Sequence, residues 1–397
     1  MLRNFRKLLV LLVTALVLAP GALRAQDYAP PVTEFPFPLG PVDGEGLYLG
    51  VEFLYFRMTN PLANQPVAFR GVIDADGTIS GPPGTTPGAF VGSGNLALDV
   101  SQVNGPQTWV PGYNLVAGWR FRNGVVVEGS WFHLEEAKYA ASAGPVPPFF
   151  QQAGNLADSF LSAFVYNFPP DFAGAAPDVA PPASPGAAYG IWNGAEYMNI
   201  QFTQRFDQWD ITGRFPIFQT ENCRYYGFVG PRIGRIWERF KWRTADLDLF
   251  GNGAPFNTAI YSNIISNNLY GFHIGCGDEM RLGDTPVGTF SVSLDLQAAA
   301  LLNVAKTRAK YEREDRQISA HHSRKEFTFV PELQAQINLW WYPIEGVQLR
   351  VGYNAMAFFN TISSPVPIDF DFGSLSPKFE RETRFFDGLN AGIGIIF

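Results

Sequence analysis

The side chains best able to do chemistry in this chain are few and scattered. His321 and His322 stand together six residues after Asp315, a set whose members can bind a metal or move a proton. On a strand, however, adjacent residues point to opposite faces, so the pair cannot share one ligand geometry without a turn. His133 and His273 are isolated and read as hydrogen-bond partners, at an interface or in an interior. Cys223 and Cys276 lie far apart with no CxxC spacing; a disulfide between them stays open, because sequence separation says nothing about Cα separation. No serine elbow, phosphate loop or dinucleotide fingerprint occurs in its required context. The expectation is therefore no catalytic residue, no metal and no cofactor.

A second polar set is regular. Glu52, Arg120, Glu128, Asp295, Gln297, Glu332, Gln334, Gln336, Arg350 and Asn354 fall on one parity of segments whose other parity is apolar. From Phe290 to Leu302, for example, Phe290, Val292, Leu294, Leu296, Ala298, Ala300 and Leu302 alternate with Ser291, Ser293, Asp295 and Gln297. Residues Phe327 to Trp341 and Val347 to Phe359 repeat the pattern, joined by the short turn Tyr342-Pro343-Ile344-Glu345-Gly346. A period of two means a strand with one apolar face, and these strands exceed the five or six residues usual in soluble sheets.

Composition agrees with long strands rather than helices. The 397 residues are 46% apolar and 16% charged, with 40 Gly, 31 Pro and 35 Phe. That is too apolar for disorder and too rich in helix breakers for a helical bundle. With a net charge of −7 there is no basic field to recruit nucleic acid. Arg3, Arg6 and Lys7, then the apolar run Leu8 to Leu18, then small residues up to Ala25, read as a secretory signal over 1–25. Losing its four basic residues (Arg3, Arg6, Lys7, Arg24) and no acid takes the net charge from −7 to −11. A Pro-rich leader over 26–45 and a single β domain over 46–397 follow.

Ten candidate strands emerge, near 46–58, 94–122, 124–139, 195–215, 225–242, 268–282, 288–303, 325–341, 346–360 and 385–397, with short connections after even-numbered strands and long ones after odd-numbered strands. A soluble sandwich shows no such sorting. Hydrocarbon cannot satisfy backbone amides, so a chain without a spanning apolar helix crosses a bilayer only as a closed sheet. The expected fold is all-β: a transmembrane antiparallel up-and-down β-barrel in the cell outer membrane, of ten strands with twelve as the alternative. It would have short periplasmic turns and long extracellular loops. The apolar parity would meet lipid and the polar parity the lumen, with Tyr48, Trp119, Trp131, Trp340, Trp341 and Tyr353 at the interfaces. Phe397, closing the alternating strand Leu389, Ala391, Ile393, Ile395, resembles the signal that such barrels present to their assembly machinery.

Two stretches resist the pattern. Apolar residues sit at even positions from Met198 to Phe206 but at odd ones from Trp209 to Ile217. Either a bulge at Asp207-Gln208 or a strand section above the membrane explains the slip. Tyr225 to Trp242 permits no assignment of faces.

Pro111-Gly112-Tyr113-Asn114-Leu115-Val116-Ala117-Gly118-Trp119-Arg120, Asp210-Ile211-Thr212-Gly213-Arg214, Gly227-Phe228-Val229-Gly230-Pro231-Arg232-Ile233-Gly234, and the strand Gly46 to Met58 carrying Glu52, resemble the pore-forming outer-membrane barrel family of the Legionella and planctomycete type. The resemblance covers most of the chain after the leader. It implies a pore or major surface protein and transfers no catalytic residue.

The expected function is porin-like passive diffusion of ions or small solutes, with a non-conducting structural or surface-interaction barrel as the alternative. The ten polar residues are a pore lining for passive diffusion of ions or small solutes, or they cross-link a filled lumen as ion pairs, since an eight-stranded barrel is already packed by its own side chains. In the second case the barrel is structural and interacts through its loops. Lys306 to Glu326, with seven basic and four acidic residues, either touches anionic lipid head groups or forms a solvated hairpin with its own ion pairs. In the loop from Ala140 to Gly194, Asn155 is placed to cap a helix with Leu156, Phe160, Leu161, Phe164, Val165 and Phe168 on one stripe. That stripe would fold inward as a plug, rest on the membrane or pack on other loops.

Overall fold

The computed structural model describes residues 46–74, 89–104, 109–121, 123–144, 160–167, 191–220, 222–247, 253–344 and 346–396. The signal, the leader, Asn155, Leu156, Phe168 and Phe397 lie outside them. The main sheet is built from β1 (Gly46–Met58), β2 (Trp109–Arg120), β3 (Val126–Ala143), β4 (Tyr197–Gln219), β5 (Cys223–Leu247), β6 (Gly253–Thr285), β7 (Gly288–Arg313), β8 (Ser319–Ile344), β9 (Val347–Ser363) and β10 (Glu380–Ile396). Each strand pairs antiparallel with its sequence neighbours, and β1 pairs with both β2 and β10, so the ten strands close into a ring. Closure removes every unpaired sheet edge. No α-helix occurs among the described residues, and none of their helices is long and apolar enough to cross a membrane.

The period-two pattern sorts the side chains as expected over one band of the ring. Leu47, Leu49, Val51, Phe53 and Tyr55 of β1 are exposed on the outside, while Glu52, Leu54 and Phe56 between them are buried inside. On β7 and β8 the outward series Phe290 to Val304 and Phe327 to Trp341 continue this belt. Trp119, Trp131, Trp341 and Tyr353 share the outward parity. Tyr48 and Trp340 do not: both face the interior, and Trp340 Nε1 donates to Ser293 Oγ at 2.9 Å. Trp340 and Trp341 are neighbours on one strand, so only one of them can face out.

Four strands run well past the expected limits. β5 and β6 extend to Leu247 and back to Gly253, and β7 and β8 to Arg313 and Ser319. Their connections are therefore short, and only three of the five connections at that end, after β1, β3 and β9, are long. Beyond the belt the outward face becomes charged while the inward face becomes apolar, which hides the strand from a search for apolar-out alternation. The same exchange explains the apparent slip in β4. Even positions from Met198 to Gln208 and on to Thr212 point inward throughout, and the irregular register between Gln204 and Phe206 places the extra residue in β3. Thus β4 simply leaves the belt near Asp207.

The described parts of the long connections fold onto this end of the ring. The candidate strand 94–122 is three elements: Leu96–Asp99 pairs with Pro66–Arg70 in a small sheet, a 3-10 turn over Val100–Val103, capped by Asp99, leads away from it, and only Trp109–Arg120 is the ring strand β2. Leu161–Ser162 joins that sheet, pairing with Pro66–Arg70 and with Asn193–Ala195, so residues 160–167 are not helical. The pairing amides of this segment find partners on neighbouring strands rather than on the next turn of a helix. Trp192 is buried against Trp242, Phe372 and Tyr311 at centroid distances of 4.3, 5.1 and 5.9 Å. Gln65 fixes the last connection, donating to Ile368 O at 2.8 Å and accepting from Ile368 N–H at 3.1 Å.

Candidate functional site

Strand β5 reads out the interior as a series of layers. Its inward residues include Tyr226, Phe228, Arg232, Ile236, Glu238, Phe240 and Trp242. They pass from the short-turn end to the loop end, each at a different chemical level of the lumen.

At the short-turn end lies a cavity of about 210 Å³. Nine of the ten sequence candidates line it: Glu52, Arg120, Glu128, Asp295, Gln297, Gln334, Gln336, Arg350 and Asn354. Glu52, Glu128, Asp295 and Arg350 are cross-linked. Arg350 pairs with Glu52 and lies 5.2 Å over the Trp340 ring. Arg214 Nε donates to Glu128 at 2.7 Å, with the guanidinium 5.0 Å over Phe228. Tyr226 Oη donates to Asp295. Glu279 accepts from Ser291 Oγ at 2.6 Å and Tyr342 Oη at 2.8 Å. Small residues make room: a Cβ on Gly277 would sit 2.2 Å from Asp295 Oδ1 and 2.4 Å from the Tyr226 ring, and one on Gly392 would sit 2.5 Å from Glu52 Cγ.

The tenth candidate, Glu332, belongs to the next level. Arg232 donates Nε and Nη2 to Asp210 at 2.8 Å each, Nη1 to Glu332 at 2.5 Å and to Gln334 at 3.3 Å, and Nη2 to Gln297 at 3.0 Å. Strands β4, β5, β7 and β8 thus meet at one guanidinium, whose planar fork suits several acceptors at once. His273 is buried beside Thr212, 3.2 Å from its Oγ1.

Above Arg232 the lumen is apolar. Leu54, Phe56, Phe132, Leu134, Ile236, Leu269, Leu301, Val330 and Met356 form one buried cluster with Phe206, Phe358 and Phe386, and all ten strands contribute to it. The aromatic rings bridge the cylinder. Phe206 of β4 stacks on Phe386 of β10 at 4.5 Å and meets Phe358 of β9, which lies opposite it in the ring, at 5.6 Å. Beyond this layer a second buried ion pair crosses the lumen, Arg384 Nη2 to Glu238 at 2.6 Å, with Gln204 Nε2 donating to the same carboxylate at 2.9 Å. The loop core around Trp192 and Trp242 then follows.

The arrangement can bind and hold water and small polar groups at the short-turn end. Among the described residues an apolar layer stands between this cavity and the loop end. Arg214, Arg232, Asp210 and Glu238 were not among the sequence candidates, because faces on β4 and β5 could not be assigned, and Arg384 was not because it lies just before the candidate strand 385–397, on a strand that begins at Glu380. The motif Gly230-Pro231-Arg232-Ile233-Gly234 carried the missing signal. Its two glycines share the inward parity with Arg232, and a Cβ on Gly230 would sit 1.7 Å from Ile211 O.

The other candidates are separate. His321 and His322 lie on β8 near the loop end, where His322 Nδ1 stands 3.3 Å from Ser374 O. Asp315 sits in the β7–β8 turn and accepts from Arg313 Nη2 at 2.6 Å, which holds its carboxyl below the usual range. Cys223 and Cys276 are both free thiols. Among the described residues no group of three His, Cys, Asp or Glu side chains is placed to hold a metal ion.

No family model matches the chain, and no curated protein matches it. Solved structures do resemble it. The outer membrane protease OmpT from Escherichia coli is similar over 89% of this chain and 97% of that one, at 9% identity and a TM-score of 0.40. A FadL homologue from Pseudomonas aeruginosa is similar over 89% and 90%, at 11% identity and a TM-score of 0.21. The anion-selective porin from Comamonas acidovorans is similar over 89% and 99%, at 10% identity and a TM-score of 0.14.

Proposed function

We propose that this chain is an outer-membrane β-barrel whose lumen is sealed in its resting state, and that it acts as a structural and surface-interaction barrel through its folded loop end. The apolar outer belt supports the membrane reading, since the closed ring satisfies its backbone internally and turns Leu, Val, Ile and Phe outward. The observation that carries the sealed reading is the contact of Phe206 with Phe358 and Phe386 across the ring. Packed aromatic rings leave no column of water for an ion to follow. On this reading the chain is not an enzyme.

Passive diffusion is the second reading, and the polar cavity lined by nine candidates favours it. Solute flux separates the two. Vesicles carrying the refolded protein should take up glucose no faster than empty vesicles; rapid uptake would overturn the sealed reading. The membrane reading has its own test. In vesicles of brominated lipid, a variant keeping only the outward Trp209 should be strongly quenched and one keeping only the buried Trp242 should not; equal quenching would remove the bilayer from the account.

A further inference from the structure

The outward face changes character abruptly where β5 to β8 leave the belt. The last row of the belt across these strands is Arg235, Asn268, Val304 and Phe327. The next row is Trp237, Ser266, Lys306 and Lys325, and the one beyond it Arg239, Ile264, Arg308 and Ser323. Lys241 follows on β5. Six basic side chains therefore share one outer face at the edge of the apolar belt and just past it.

Their pairing is lopsided. Elsewhere around the ring, bases at this level meet carboxylates: Arg57 with Asp387 at 2.9 Å and Arg205 with Glu136 at 2.8 Å. Among the described residues Arg235, Arg239, Lys241, Lys306, Arg308 and Lys325 make no such ion pair. Lys306 and Lys325 stand directly opposite each other, an arrangement that destabilises a sheet unless an anion answers it. Trp237 orders the patch, with the guanidiniums of Arg205 and Arg239 at 5.0 and 5.5 Å from its ring. Strands about 4.8 Å apart and steps of about 6.6 Å along them spread these charges over about 15 Å across the strands and about 20 Å along them, a span that fits a head group bearing two phosphates.

We propose that this face binds the phosphates of a phosphorylated lipid in the leaflet at the loop end, with its acyl chains lying on the belt below Val304 and Phe327. The proposal rests on the membrane reading given above. A lipid is the occupant these residues favour because charge and apolar surface adjoin: Lys325 Nζ itself lies 4.9 Å over the Phe327 ring. A soluble anion would gain nothing from the belt.

The test uses the full-length protein in non-ionic detergent, titrated with a diphosphorylated glucosamine lipid, its dephosphorylated form and inorganic phosphate, with bound lipid counted by native mass spectrometry. The diphosphorylated lipid should bind at least tenfold more tightly than the dephosphorylated one, and Arg235→Gln/Arg239→Gln/Lys306→Gln/Arg308→Gln should abolish that preference. Retained heat-dependent gel mobility shows that the variant's barrel is closed, and the milder Lys306→Gln/Arg308→Gln should reduce the preference at least threefold. Equal binding of the two lipids, or an unchanged preference in both variants, would overturn the proposal. Displacement of the lipid by inorganic phosphate at equal concentration would also overturn it, by revealing a soluble-anion site. The brominated-lipid experiment involves none of these residues, so a failure of the membrane reading is seen separately.

Discussion

Replacing Arg232 by Met keeps an unbranched stem in the lumen and removes the guanidinium and its charge. The guanidinium is 2% exposed and holds Asp210 and Glu332 inside the ring. Five hydrogen bonds are lost, but their sum is not the cost, because the unfolded chain bonds to water instead. The larger effect is on what stays behind. Glu332 is 1% exposed and Arg232 is its ion-pair partner, so Arg232→Met strands a carboxylate in the lumen. Breaking one side of a buried pair costs about 3–5 kcal/mol. Glu332→Gln is gentler, since the amide oxygen still accepts from Arg232 and Asp210 still balances the guanidinium; its cost should be smaller by at least about 1 kcal/mol. Combining Arg232→Met with Glu332→Gln and Asp210→Asn should recover part of the loss, because no charge then remains unpaired. Urea unfolding of the refolded protein in detergent, followed by tryptophan fluorescence, gives these differences from the midpoints. If Arg232→Met falls within about 1 kcal/mol of the native protein, or if the triple variant is no better than the single one, the network is not what holds this level of the lumen.

Trp192→Ala should cost about 3–5 kcal/mol through the loop core and expose residues 364–379 to protease, while the barrel keeps its heat-dependent gel mobility. Gly277→Val should destabilise by about 1–3 kcal/mol by overpacking the Tyr226–Asp295 contact, measured in the same urea assay. Asp315 donates nothing when charged and accepts the Gln317 amide at 3.1 Å. Because its carboxyl is held low by Arg313, the contribution to the turn is complete above the ordinary carboxylate value of about 3.9 and is lost as pH falls through the lower folded value. Hydrogen exchange at Gln317 should therefore quicken only in that acidic range; quickening near pH 6 would contradict the assignment.

The ring itself was legible because the belt obeys one rule. Over Phe290 to Leu302 and Phe327 to Trp341, successive residues alternate between outward and inward facing, with apolar Ala299, Leu301 and Val330 among the inward ones, and the strand count follows. What the sequence concealed was the reversal above the belt. In β4 the apolar residues Met198, Ile200, Phe202 and Phe206 face inward, whereas Trp209, Ile211 and Phe215 face outward; one continuous strand looks like two out of phase. The polar candidates were identifiable by parity alone, and Glu52, Asp295 and Arg350 line the cavity. Their partners were not, since Arg232, Asp210 and Arg214 lie on strands whose faces parity could not fix. The sealing layer was invisible for a related reason. Phe206, Phe358 and Phe386 are unremarkable singly, and only ring closure brings them together.

Single-channel recording in a planar bilayer tests the sealed lumen most directly. The native protein should give no steady conductance steps, and Phe206→Ala/Phe358→Ala/Phe386→Ala, which empties the aromatic bridge, should give them. Steady steps from the native protein, unchanged by that triple replacement, would contradict the account.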